Sequence, residues 1–219
     1  MTGAELKTFF LGLIDEEDVD DTLFYQLLNA AKNEFEEERD WEHLKAKDET
    51  QTSSSGETYT TSKDLPTDFR KMISLFVGTD TQHDQIPYED QIRYKDGNQK
   101  YYLDIANSKL YIIGTPASTQ TIYQFYIKYA EDVTATTAPT FPSRFHAILG
   151  YMVAGYWTAG VDADDIYARM SNEHKIAALV AKKAMYRWDD DLKLGSIDRA
   201  ATPFLTGDSN RGDRIDKYR

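Results

Sequence analysis

The chain has 219 residues, a net charge of −12, 41% hydrophobic and 28% charged residues, and no cysteine. That length allows one large domain or two small ones. The missing cysteine excludes disulfides, thiol catalysis and Cys-based zinc sites, and the acidic balance argues against a basic nucleic-acid grip. Residues Thr2 to Ile14 predict a short helix with Leu6, Phe9, Phe10 and Leu13 on one side. The run Asp15-Glu16-Glu17-Asp18-Val19-Asp20-Asp21 breaks it, and Asp20 or Asp21 can cap the next helix. That second helix is expected to reach about Lys47. Leu23, Phe24, Leu27, Leu28, Ala31 and Phe35 lie on one face, Trp41 falls at its edge, and Glu36, Glu37 and Glu38 sit mostly outside.

Residues 48–57 read as a polar loop. Tyr59–Ser62, Met72–Val77, Tyr101–Ile105, Leu110–Ile113 and Thr121–Tyr129 are candidate strands, with Ala106-Asn107-Ser108-Lys109 as a hairpin loop. In the last strand Tyr123, Phe125, Ile127 and Tyr129 share one face, and Gln124, Tyr126 and Lys128 share the other. The second set is the candidate outer face for a partner. Pro142 opens a helix bearing Phe145, Ile148, Leu149, Met152, Val153 and Tyr156. Gly150 within it costs about 1 kcal/mol against alanine, which points to a neighbouring backbone coming close. A turn at Gly160-Val161-Asp162 leads to a last helix with Ile166, Met170, Ala177, Val180, Ala184 and Trp188 on one stripe. After Gly195 the apolar period stops. No run of 18 apolar residues predicts a membrane span, and the first residues do not read as a signal peptide.

The expected fold is therefore α+β. A helical bundle from residues 1–50 and 140–192 carries an inserted antiparallel β-meander at 51–139, followed by an extended tail at 193–219. Charge divides along the chain. Residues 1–50 hold fifteen acids against five bases, and residues 193–219 hold six bases against four acids. Opposite ends of opposite sign suit docking between partners or copies.

Chemistry finds little footing. His43, His83, His146 and His174 are scattered and form no two-His metal motif or triad-like pattern. Asp15–Asp21 and Asp189-Asp190-Asp191 lack the calcium-loop spacing. The second cluster is expected at a helix C-terminus, where acids oppose the dipole and suggest a basic partner from another copy. Arg211-Gly212-Asp213 is a tripeptide frequent by chance. No catalytic residue, metal or cofactor is assigned.

The order of parts resembles the head-to-tail adaptor (connector, or neck) proteins of tailed bacteriophages. It is similar in layout to their tail tubular A, or gatekeeper, proteins. The matching features run in order over about residues 1–190: Arg39-Asp40-Trp41, Leu65-Pro66-Thr67-Asp68-Phe69, Leu110-Tyr111-Ile112-Ile113 before Gly114-Thr115-Pro116, Tyr126-Ile127-Lys128-Tyr129, and the late helix pair. The resemblance implies a non-enzymatic virion protein, present in the host cytoplasm during assembly and without membrane contact. It implies a ring, usually of twelve copies, between the capsid portal and a tail or nozzle protein. Double-stranded DNA would pass through it without sequence-specific binding and be retained after packaging. Carried onto this chain, the portal-docking segment comprises Lys193, Arg199, Arg211, Arg214, Lys217, Tyr218 and Arg219. Channel or inter-subunit acids would come from Asp15, Glu16, Glu17, Asp18, Glu36, Glu37 and Glu38. Another tail component, such as a tail-completion or nozzle-associated subunit, is the nearest alternative, and a carboxylate-dependent hydrolase is the one from a different class.

Overall fold

The computed structural model describes residues 1–79, 81–114, 118–160 and 165–201, with side chains left out for residues 160, 165–169 and 195–201. Two helices come first, α1 (Gly3–Ile14) and α2 (Asp21–Glu37). Seven strands follow: β1 (Lys45–Ser53), β2 (Ser62–Asp64), β3 (Phe69–Val77), β4 (Thr81–Gln85), β5 (Lys100–Asp104), β6 (Lys109–Ile113) and β7 (Gln120–Lys128). Helices α3 (Ala147–Gly160) and α4 (Asp165–Ala201) close the order.

The expected helical bundle with an inserted antiparallel meander is overturned. The strands form one mixed sheet in the order β1-β7-β3-β4-β5-β6-β2. A meander would keep chain neighbours side by side. Here β1 instead pairs with β7, β7 with β3, and β4 runs parallel to β5. Strand β4 joins two halves, pairing with β3 through Leu75–Val77 and with β5 through Asp84 and Gln85. The sheet curls on itself, because side chains from both halves share one core: Met72 and Leu75 of β3 and Ile122 and Tyr126 of β7 pack with Tyr101, Leu110 and Ile112. Its two end strands approach each other. The Gln51 side chain on β1 donates to Asp64 O at 2.6 Å and accepts from Asp64 N at 3.0 Å on β2. The amide copies the pairing that a neighbouring strand would make.

The second helix stops ten residues before the expected boundary for a tertiary reason. Trp41 Nε1 donates to Phe35 O at 3.2 Å, and Arg70 reaches Glu36 O at 2.8 Å. Those two side chains cover carbonyls that a continuing helix would have bonded. Residues 45–53, expected as helix end and loop, become the polar edge strand β1. The candidate strand at 59–62 is mostly turn, and β2 begins only at Ser62.

The helices share a second core. Leu6 and Phe10 of α1, Phe24, Leu28, Ala31 and Phe35 of α2, and Ile148, Leu149 and Val153 of α3 are buried together with Trp41. Thr2 and Glu5 form a capping box at the start of α1. Two more of its free N–H groups donate to Thr137 O and Ala135 O, so the segment after β7 is fastened to the first helix. Glycine is needed there, since a Cβ on Gly3 would lie 2.1 Å from Thr134 O. A Cβ on Gly150 would lie 2.5 Å from the Phe9 ring. The close neighbour of that helical glycine is therefore an aromatic side chain of α1, not the backbone that was expected.

Helix α4 continues through Ala201, past the point where the tail was expected to start. Its buried face is also different. Ser171, Ala178, Met185 and Asp189 point inward, while Val180 and Ala184 of the expected core stripe are exposed.

Candidate assembly surfaces

The acidic connection between α1 and α2 is a built turn. Asp15 closes α1 in the left-handed conformation (φ 57°) with its N–H on Leu11 O, and Asp20 caps α2 by accepting from Leu23 N at 2.9 Å. Lys7 Nζ spans the turn, 3.2 Å from Asp18 and 2.7 Å from Asp21. Its hydrogen bond, with the Val19 N–H, holds the Asp18 carboxyl below its ordinary range. Asp15, Glu16, Glu17 and Glu37 are exposed and carry no ion pair among the described residues. Glu38 accepts from Lys182 and Tyr186, which ties α2 to α4.

Glu36 departs from its expected outward position. It is 3% exposed, beside the equally buried Lys32 one turn earlier. Lys32 Nζ donates to Ala130 O at 2.9 Å and Glu131 O at 2.8 Å and lies 3.4 Å from Asp132. Burial pushes the Glu36 carboxyl up to about 7, although Lys32 and the Ala130 N–H oppose the shift. A surface lining a channel is thus not available to this side chain.

The Asp189–Asp191 cluster sits inside α4, not at its end. Asp189 is fully buried. It accepts from Glu42 N at 2.8 Å and lies 3.2 Å from Arg39 and 2.7 Å from Lys193. Arg39 also pairs with Asp190. The expected basic partner from another copy is supplied from within the chain, and Lys193 belongs to this cluster instead of a free tail. Arg199 lies on the α4 backbone. Its side chain, and all of Arg211, Arg214, Lys217, Tyr218 and Arg219, lie outside the described residues.

The expected outer face of the last strand is the inner one. Gln124 is 0% and Tyr126 5% exposed, with only Lys128 half-buried. Gln124 Nε2 donates to Asp48 Oδ2 and Asp64 O, both at 3.3 Å, and Tyr126 donates to Asp68 at 2.9 Å. Tyr123 and Phe125 face outward instead, with Lys47 Nζ 4.6 Å from the Tyr123 ring and Phe76 edge-on to Phe125. Both faces of the strand carry large side chains, so alternation alone did not say which faces solvent. A groove of about 860 Å³ runs between β1 and the β2–β3 connection, with Asp48, Asp64, Asp68 and Glu131 on its walls. It was hidden in the sequence because residues 48–53 read as loop.

Two of the histidines pack against the helical core. His43 sits among Trp41, Phe141 and Trp188, and burial pushes its pKa down to about 4. His146 bonds Phe141 O at 2.7 Å and the backbone of Met1. Among the described residues, no group of three or more His, Asp or Glu is arranged to hold a metal, and no helix is long and apolar enough to cross a membrane. What α4 offers instead is exposed apolar surface: Ile176 63%, Leu179 51% and Val180 63% accessible.

The described residues thus leave unpaired acids on the α1–α2 turn and exposed apolar side chains on α4. Residues 1–205 match the family model described as SU10 adaptor protein, and the chain belongs to that family of phage adaptors. The resemblance drawn from motif order agrees with this match. No curated protein matches the chain in sequence.

Proposed function

We propose that the chain is a subunit of a ring that joins the capsid portal to the tail, passes double-stranded DNA, and helps retain the packaged genome. The observation that carries this reading is the adaptor-family match over residues 1–205. The charge distribution supports it. Basic side chains along a channel would bind phosphate and release counterions, slowing the polyanion, whereas acids leave it mobile. Asp15, Glu16 and Glu17, exposed and unpaired among the described residues, are the acids suited to a channel wall. Asp18 and Glu38 are already engaged by Lys7 and by Lys182 with Tyr186, and Glu36 is internal. Residues 202–219, with Arg211, Arg214, Lys217, Tyr218 and Arg219, are the proposed portal-docking segment.

Electron microscopy of the chain mixed with its portal tests the reading. The expected result is an added ring on the tail-facing side of the portal. A portal that stays bare under all mixing conditions refutes the adaptor placement. Because α4 extends through Ala201, the informative truncation removes only 202–219. The expected product has an unchanged melting temperature and does not join the portal, while undiminished joining removes the docking assignment.

A further inference from the structure

Two exposed stripes run along separate helices, and their residues match in kind and in order. On α4, Ile176, Leu179 and Val180 lie at helical i, i+3, i+4 spacing, and Lys183 and Arg187 continue the same line toward the C-terminus. Neither cation has an ion pair among the described residues. On α2, Leu23, Leu27 and Ala30 form a line that continues into Glu34, which also accepts from the Tyr156 hydroxyl of α3, and Glu37, which has no ion pair among the described residues. Leu23 is 41% exposed, and Leu27 is half-buried. Each stripe runs from apolar to charged in the chain direction. The charges are basic on α4 and acidic on α2.

We propose that the α4 stripe of one copy packs parallel to the α2 stripe of a second copy. In that register Ile176 meets Leu27, Leu179 and Val180 meet Ala30, and Lys183 and Arg187 face Glu34 and Glu37. The occupant is a second copy because the complementary stripe is on this same chain. A parallel pairing of α4 with α4 would set Lys183 and Arg187 against themselves, which costs binding energy. The contact joins two different faces, so it propagates head to tail and closes into a ring or extends as a filament. This rests on the ring proposed above and names its subunit contact. It also separates the roles of the acids: the loop acids stay free, and Glu37 with Glu34 is used between subunits.

The chain has no native cysteine, which makes disulfide trapping clean. The full chain carrying both Ala30→Cys and Val180→Cys should give a covalent ladder on mild oxidation. Mixing the two single variants should give only the mixed dimer. Adding Lys183→Glu and Arg187→Glu to the double variant should slow the ladder about tenfold, and Glu34→Lys with Glu37→Lys should restore it. Circular dichroism of each variant establishes that it is folded. If Val180→Cys alone dimerises as fast as the mixture, the contact is α4 on α4 and the proposal is overturned. Failure of the acid-side reversal to restore the ladder also overturns it. Should the unsubstituted chain assemble, alone or on its portal, while the trapping pair gives no ladder, this contact fails and the ring reading stands. A chain that stays monomeric and leaves the portal bare ends both.

Discussion

Replacing Glu36 with glutamine should change how stability depends on pH. The carboxyl is 3% exposed, one of its oxygens has no partner, and burial lifts its pKa from 4.5 to about 7. Between those two values the folded chain holds a proton that the unfolded chain has released. Stability therefore falls as pH rises through that window, and the contribution is intact only below about 4.5. The shift corresponds to about 3 kcal/mol at most, of which roughly 2–3 kcal/mol develops between pH 5 and pH 8. The amide keeps the size of the side chain and an acceptor for the Ala130 N–H while removing the charge. Urea unfolding of both proteins at pH 5, 6, 7 and 8 gives the difference directly. The stability of the Glu36→Gln variant minus that of the native chain should grow by roughly 2–3 kcal/mol from the lowest pH to the highest. His43 acts in the opposite sense. With its pKa pushed down to about 4, it removes stability as pH falls from about 6.5. Both proteins share that effect, so it cancels in the difference. A difference that stays flat over the whole range would refute the claim that Glu36 is buried without adequate compensation.

Three other substitutions probe the framework. Gly150→Ala places a Cβ 2.5 Å from the Phe9 ring and should cost about 1–3 kcal/mol in a thermal or urea melt, with Phe9→Leu recovering part of the loss. Asp189→Ala leaves Arg39, Lys193 and the Glu42 N–H without their shared acceptor. Its expected cost is about 3 kcal/mol, read as a lower urea midpoint. Gln51→Ala removes both bonds to Asp64. Exchange of the Asp64 amide hydrogen should speed up by about tenfold, while global stability drops by only about 1 kcal/mol, because the site is exposed.

The resemblance to adaptors was legible in the order of short motifs, and the first helix was legible in local pattern. The apolar spacing that marks it, from Leu6 to Phe10, spans only a few residues. The hairpin of β5 and β6 was visible for the same reason. The end of α2 was not. It depends on Arg70, which reaches Glu36 O from 34 positions away. The inward turn of Gln124 was equally hidden, because its partners are Asp48 and the Asp64 carbonyl across the curled sheet. A glutamine between aromatics reads as a surface residue until those acceptors are in place. The expected core stripe of α4 was a true apolar line, but Ala178, Met185 and Asp189 were the residues packed inward.

By itself the sequence determined which stretches could be amphipathic, where charge collects, and that cysteine chemistry is unavailable. These are properties of neighbouring residues and of totals, and they need no knowledge of what lies across the fold. Tertiary structure alone decided the strand order, the closure of the sheet edges through Gln51, the burial of Glu36 and Lys32, and the partners of Asp189. Each depends on contact between residues far apart in the chain, and a polar side chain becomes internal only when a distant group arrives to satisfy it.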